Sequence, residues 1–240
     1  MKALIFDCDG VLVDTERDGH RVAFNRAFEA LGVKAEWDVP LYGELLVIGG
    51  GKERMRHYFD AHGWPEGRSE SKDELIALLH KTKTDFFTDI IASGQLPLRP
   101  GIARIVDEAI AAGVRLGVCT TSAPKAIDGV LDLFGPERKA RFEFVHAGDV
   151  VSKKKPDPEI YELAKQTLGL PASDCVVIED SRNGLLAATG AGLPTLITTS
   201  AYTADEDFTG AIAIVPELGD PPNVRVTLAD LAQLASGQAA

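Results

Sequence analysis

The chain divides by the rhythm of its apolar positions. Residues 3–6 form a short apolar run of strand type that ends abruptly in polar residues. Between 15 and 94 no convincing strand follows. Instead Ala23, Phe24, Ala27, Phe28 and Leu31 recur at helical spacing, with Gly32 as the stop. Residues 52–62 predict a second helix through Met55, Tyr58 and Phe59, ended by Gly63 and the Trp64-Pro65 break. Residues 70–93 predict a third, long one through Leu75, Leu78, Leu79, Phe86 and Ile90, stopped by Gly94.

Past the stiff linker Leu96-Pro97-Leu98-Arg99-Pro100-Gly101, helices alternate with short apolar strands: 102–112, 114–120, 124–134 and 142–147. The alternation continues through 156–168, 175–178, 184–189, 193–197 and 211–215. Such a pattern predicts βαβ units and a parallel sheet, hence an α/β protein. The simplest topology joins the first strand to this sheet, giving a core of 1–14 plus 95–240 with 15–94 inserted as a helical cap. Tethered at 14–15 and 96–100, the insertion is placed to close over the end of the first strand and exclude water. It also reads as a passive decoration. No internal repeat or low-complexity tract is evident.

Composition changes this picture little. The 240 residues are 45% apolar and 25% charged, as in ordinary globular proteins. A net charge of −11 argues against nucleic acid or an anionic membrane as partner, since both call for a basic face. Small phosphorylated molecules stay open, because a site needs only local positive charge. Cys8, Cys119 and Cys175 sit in or beside apolar runs and read as free thiols of a reducing compartment. The first strand begins at once, leaving no room for a signal peptide, and no apolar run approaches the length of a membrane span. A cytoplasmic monomer is expected.

The chemistry gathers at strand ends. The opening run passes into Asp7-Cys8-Asp9-Gly10. Residues i and i+2 share one side of a strand, so Asp7 and Asp9 converge beyond its carboxyl end, where open α/β sheets bind ligands. Gly10 lets the backbone turn. Two carboxylates at ~4 Å repel by about 4 kcal/mol at an effective dielectric near 20. They must share a proton or gain a cation, although Asp-x-Asp-Gly is also ordinary turn chemistry. Thr120-Thr121-Ser122 is a hydroxyl cluster ahead of Pro124 at a helix start, suited to an anion but equally to capping. Lys155, directly before Pro156, is placed to reach a phosphate and balance the acids, with Lys153 and Lys154 left to solvent. Finally 176–178 run into Glu179-Asp180. Four carboxylates beside one lysine make little sense without a bound cation, and the hard ion Mg²⁺ fits an oxygen-rich site.

The ordered set Asp7-x-Asp9-Gly10-Val11-Leu12-Val13-Asp14-Thr15-Glu16, Thr120, Lys155-Pro156 and Glu179-Asp180 resembles the signature motifs of the haloacid dehalogenase superfamily across the whole chain. The resemblance implies a Rossmann-like core with a small α-helical cap, and Mg²⁺ as cofactor. It implies Asp7 as the nucleophile that forms an aspartyl phosphate, Asp9 as general acid/base, and Thr120 and Lys155 holding the phosphoryl group. Mg²⁺ would sit on Asp7, the Asp9 carbonyl and Asp180, with Glu179 behind them. Thr121 and Ser122 are grouped with the substrate site.

In the inserted block, Tyr42-Gly43-Glu44-Leu45-Leu46 and Gly49-Gly50-Gly51-Lys52-Glu53-Arg54 are similar to the CbbY-type sugar phosphatases, which act on xylulose 1,5-bisphosphate. Glycines opening a helix expose N–H groups to an anion, and Lys52 and Arg54 add charge, so Gly50, Gly51, Lys52 and Arg54 are candidates for a second phosphate. The same stretch also reads as a flexible loop with solvated charges. Many relatives place a histidine three residues after the glutamate equivalent to Glu16; here His20 follows at four, and both spacings fall on one helix face. Glu16 and His20 are therefore expected at the substrate, provided the helix has begun by Glu16. The expected activity is a Mg²⁺-dependent phosphomonoester hydrolase for a small sugar phosphate. The rivals are a β-phosphoglucomutase-type mutase, a haloacid dehalogenase and a non-catalytic binder.

Overall fold

The computed structural model describes residues 1–94 and 96–237. Gln95 and residues 238–240, assigned to the core from sequence, lie outside the described residues. Six strands, β1 (Ala3–Phe6), β2 (Arg115–Thr120), β3 (Phe142–Ala147), β4 (Cys175–Glu179), β5 (Thr195–Thr198) and β6 (Ala213–Val215), form one sheet. Their order is β3-β2-β1-β4-β5-β6, with every neighbour parallel. This is the Rossmann-like α/β sheet anticipated above. The chain walks outward from β1 to β3, then returns to the other side of β1 with β4. Such a reversal opens a crevice at the carboxyl ends of the central strands.

Helices α1 (Arg21–Ala30), α2 (Val39–Leu45), α3 (Gly51–His62) and α4 (Lys72–Ala92) lie between β1 and the linker. Among the described residues no strand interrupts them. They enclose an aromatic core of Phe24, Phe28, Trp37, Tyr42 and Phe59. The remaining helices are α5 (Ile102–Ala111), α6 (Pro124–Asp132), α7 (Pro136–Lys139), α8 (Glu159–Leu168), α9 (Arg182–Gly190) and α10 (Leu228–Ala235). They cover both sheet faces, which is why β1 is apolar throughout. Leu4 and Phe6 pack on one face with Ile105, Val130 and Leu231; Ala3 and Ile5 pack on the other with Ile160, Ala164 and Ala187. No described helix is long and apolar enough to cross a membrane.

The short helix α2 escapes the periodicity analysis because seven residues show too little of a pattern. Its start is nonetheless written locally: Asp38 accepts the Leu41 N–H at 2.8 Å and Pro40 sits in the first turn. α10 also lies beyond the expected elements, and its signal is the capping box of Thr227 and Asp230. At the far end of the insertion the linker returns to the first loop. Val13 bridges both Asp9 and Leu98, and Arg99 donates to backbone carbonyls of Gly10, Thr199 and Pro216. One arginine thus ties the linker, the turn after β1 and the last strands together.

Gly117 of β2 lies under the Phe144 ring, whose atoms come within 2.1 Å of where a β-carbon would stand. Gly117→Ala must push that ring off its neighbours, and we expect it to lower stability by about 1–3 kcal/mol in urea unfolding at unchanged slope. An unaltered midpoint would show that the ring moves freely and that the packing described is not tight.

Candidate active site

Register explains the central cluster. Phe6 pairs with Val118 on one side and with Ile178 on the other, so the next residues, Asp7, Cys119 and Glu179, end level. Asp7 N–H donates to Ile178 O at 2.9 Å, which holds the strand end in place. Into this row comes Lys155 from the loop before α8. Its Nζ donates to Asp7 Oδ1 at 2.7 Å, Glu179 Oε1 at 2.5 Å and Cys119 O at 2.9 Å. All three ammonium protons are thereby used. Burial opposes the charge, yet the Asp7 and Glu179 carboxylates outweigh it and hold Lys155 above the usual lysine range.

Glu179 Oε1 also accepts from the buried Tyr161 hydroxyl at 2.5 Å, so Glu179 is locked from two directions. Two glycines make room for the acids. A β-carbon on Gly184 would fall 2.0 Å from the Glu179 carboxylate, and one on Gly10 would fall 2.0 Å from Asp180 Oδ2. Gly10 has φ +83°, so the same residue supplies the turn and the space. Ligand oxygens of Asp7, Glu179 and Asp180 lie within 4.8 Å of one another, all three residues buried. Ionised together, three carboxylates against one ammonium would leave two negative charges over. Burial pushes the Asp180 carboxyl well up, with Asp7 and Glu179 adding to it. Burial likewise pushes Asp7 up against the pull of Lys155. A buried acidic cluster with its ligands already gathered and its charge uncompensated is one that could hold a metal ion.

Asp9 faces the other way, toward the helical insertion. Its Oδ1 accepts from Thr15 Oγ1 at 2.6 Å and from His20 Nε2 at 2.7 Å, and Ser122 Oγ donates to Oδ2. Burial raises its pKa, but His20, Ser122 and Thr15 outweigh this and keep it well below the usual carboxylate range. The other ring nitrogen, Nδ1, meets Lys83 Nζ at 2.6 Å. With Lys83 donating to Nδ1, the ring carries its hydrogen on Nε2 and donates it to Asp9. His20 is further stacked on Phe87 at 4.0 Å. Residues Glu16–His20 wind as a π-turn running directly into α1. A π-turn takes an extra residue per turn, which absorbs the fourth residue of the Glu16–His20 spacing.

Glu16 lines the cavity above Asp7 and Asp9, with Gly49, Gly50, Arg54, Thr121, Lys155 and Asp180. Several expectations are corrected here. Lys52 is not in that lining; its ammonium pairs with Asp149 of the core, across the seam between cap and core. Gly51 borders a separate cleft beside Lys52 and His80. Thr120 is buried beneath the cavity and its hydroxyl accepts the Ser122 N–H at 3.0 Å, so Thr121 rather than Thr120 meets the space. The Asp9 carboxylate stands outside the metal-competent cluster, in keeping with the expectation that only its backbone carbonyl would meet the ion. Arg54 reaches the cavity but spends its nitrogens on Leu45 O, Ile48 O and Tyr42. Lys153 pairs only with Asp157 at the surface, while Lys154, also left to solvent, turns inward to Gly148 O and Asp149.

The insertion packs directly on the sheet's loops. A β-carbon on Gly49 would lie 2.8 Å from Lys155 O, and Asn183 Nδ2 donates to Val47 O at 3.3 Å. Lys83, Tyr161 and Gly184 were not legible as site residues. Lys83 looks like one of several lysines on a solvated face, Tyr161 like an ordinary core position, and Gly184 like a weak helix residue.

A family model described as haloacid dehalogenase-like hydrolase matches residues 1–192. A CBBY-like protein of Arabidopsis thaliana is 54% identical over 231 residues, spanning 95% of this chain and 72% of that protein. The plasmid-encoded CbbY of Cupriavidus necator is 44% identical over 222 residues, spanning 92% and 87%. Two crystal structures of CbbY from Rhodobacter sphaeroides, one with phosphate and one of a point mutant with xylulose-(1,5)-bisphosphate, superpose with TM-scores of 0.87. Each is 40% identical and covers 96% of this chain and 99% of the other. The chain belongs to the haloacid dehalogenase-like hydrolases. As an enzyme it is of phosphatase class, similar to the CbbY proteins.

Lys83 gives a test of the network. Burial pulls its pKa from 10.5 down to about 8, against the attraction of Asp9 and Glu16. Between those values the unfolded chain carries one more proton on this lysine than the folded one, so its contribution to stability rises with pH. Below about pH 8 the cost of burying the charge is fully present. Chemical denaturation of wild type and Lys83→Met should therefore show the stability difference moving in favour of wild type from pH 8 to 10.5. A difference that is flat across that window would place Lys83 in water.

Proposed function

We propose that the chain is a Mg²⁺-dependent phosphatase of small sugar phosphates, with xylulose 1,5-bisphosphate as preferred substrate and Asp7 as nucleophile. Residues 15–94 act as a cap over a core of 1–14 and 95–240. The observation that carries this reading is Asp7 itself: a buried carboxylate at a strand end, its Oδ1 fixed 2.7 Å from Lys155 Nζ and its neighbours acidic. The bisphosphate bound by the similar CbbY of Rhodobacter sphaeroides supports the choice of substrate.

Asp7, Asp180 and the Asp9 carbonyl would hold Mg²⁺, with Glu179 behind them anchoring Lys155. When bound, the ion would offset the surplus of negative charge and that of the incoming phosphate. Asp7 then attacks phosphorus in line with the leaving sugar oxygen, forming an aspartyl phosphate. Lys155 supplies positive charge to the phosphoryl oxygens, exchanging one of its present bonds for them, and Thr121, which lines the cavity, faces them. Asp9 is ionised in the resting site; a phosphate dianion arriving beside it raises its pKa, so that it takes a proton from solvent water or keeps the one gained in the preceding turnover. That proton passes to the leaving alkoxide. Asp9, again a carboxylate and held by Thr15, His20 and Ser122, next takes a proton from the water that hydrolyses the aspartyl phosphate. Because Thr15 and His20 precede or belong to the cap, closure and alignment of Asp9 are one event, so water meets the site only in a defined geometry. The three free, buried cysteines fit a cytoplasmic setting.

Assay of xylulose 1,5-bisphosphate within a panel of sugar phosphates should give stoichiometric inorganic phosphate, and Asp7→Asn should lower kcat by at least about a thousandfold. Isomerised product without free phosphate would replace the hydrolase by a mutase. Undiminished turnover in Asp7→Asn would remove the nucleophile.

A further inference from the structure

Arg54 carries positive charge beside the cavity, with three of its five N–H groups committed within the insertion and Nη1 also 4.0 Å from Glu16 Oε2. Nε donates to Leu45 O at 3.1 Å, Nη2 to Ile48 O at 3.2 Å and Nη1 to the Tyr42 hydroxyl at 2.9 Å. Its plane also stands 5.1 Å from the Tyr42 ring centre. These bonds run from α3 back to α2 and the loop behind it, so Arg54 braces the segment that carries Tyr42 and Gly49.

Tyr42 is fully buried against Phe24, Trp37 and Tyr202. Its hydroxyl has one proton, and having accepted from Arg54 it donates to Glu16 Oε2. Burial, with the Glu16 charge adding, keeps the phenol protonated and therefore a donor. One oxygen of Glu16 is thus pinned from behind. Among the described residues nothing is hydrogen-bonded to the other, Oε1, and Glu16 lines the cavity beside Asp7, Asp9 and Lys155. A carboxylate fixed in this way accepts hydrogen bonds and repels phosphate, so what it selects is a hydroxyl on the ester's organic half.

We infer that Tyr42 and Arg54 are positioning residues that set selectivity for polyhydroxylated phosphate esters, by holding Glu16 as a hydroxyl acceptor. The inference rests on the sugar-phosphate reading above. It assigns Arg54 a structural bond to Tyr42 in place of a grip on a second phosphate. Chained hydrogen bonds of this kind are worth most when each member is aligned by the next, and loss of the middle one frees Glu16 to swing.

The test compares kcat and KM for a sugar monophosphate, the matching bisphosphate and p-nitrophenyl phosphate, which offers no hydroxyl. Tyr42→Phe keeps the ring packing and removes only the relay. It should lower the sugar-to-aryl ratio of kcat/KM by about tenfold or more, chiefly through KM, the size of a lost hydrogen bond to a charged group. Tyr42→Phe combined with Glu16→Gln should be no worse than Glu16→Gln alone within about twofold, since both act on one contact. Arg54→Lys, which keeps the charge without the three directed bonds, should lower the ratio equally for mono- and bisphosphate. Equal losses on sugar and aryl substrates would reduce Tyr42 to packing, and a loss in Arg54→Lys confined to bisphosphates would put Arg54 on the second phosphate; either overturns the inference. A wild-type enzyme with no preference for sugar phosphates would sink the functional reading and this inference with it, whereas a preference untouched in the variants sinks the inference alone.

Discussion

The site depends on one ammonium held among too many acids. Lys155 gives all its protons to Asp7, Glu179 and the Cys119 carbonyl, and cannot answer Asp180 as well. Isolated buried charges are costly, and a cluster that remains negative after its best internal pairing must take up a proton or a cation. The fold accepts this cost locally. It places Asp7 and Glu179 on adjacent strands in matched register, and clears space for the carboxylates with Gly10 and Gly184. Strand register, glycine placement and the locking of Glu179 by Tyr161 therefore serve a single electrostatic problem. The proposed answer to it is a bound cation and the phosphoryl group of the substrate.

A second constraint couples this cluster to the helical insertion. Asp9 sits two residues from Asp7 but hydrogen-bonds to Thr15 at the start of the insertion, His20 within it and Ser122 after β2. Any movement of the helical insertion away from the sheet would break at least the His20 bond, and with it the alignment of the proposed acid/base. Lys83, reaching His20 from α4, extends the same coupling across the cap, and Phe87 clamps the imidazole in the plane that makes both bonds possible.

The core acids were legible in sequence because strand-end chemistry is local: an apolar run followed by paired carboxylates states both the fold and the site. The sheet, too, was readable from its alternation. What stayed hidden is three-dimensional in origin. Lys52 and Arg54 sit two residues apart, so the helix turns them to different neighbours: Asp149 on the core, and Tyr42 with two carbonyls inside the cap. Spacing gave their charge without the partners that consume it. Tyr161, Gly184 and Lys83 matter only through residues distant in sequence. The Glu16–His20 spacing was read as a departure, and its resolution, a π-turn, is a backbone choice that hydrophobic pattern does not encode.

The most direct measurement is magnesium binding to the protein without substrate, by isothermal titration calorimetry on wild type and Asp180→Asn. The uncompensated acid cluster predicts one ion per chain for wild type, and loss of that binding when one of the three carboxylates becomes an amide. Binding of equal strength in Asp180→Asn, or none in wild type, would contradict it.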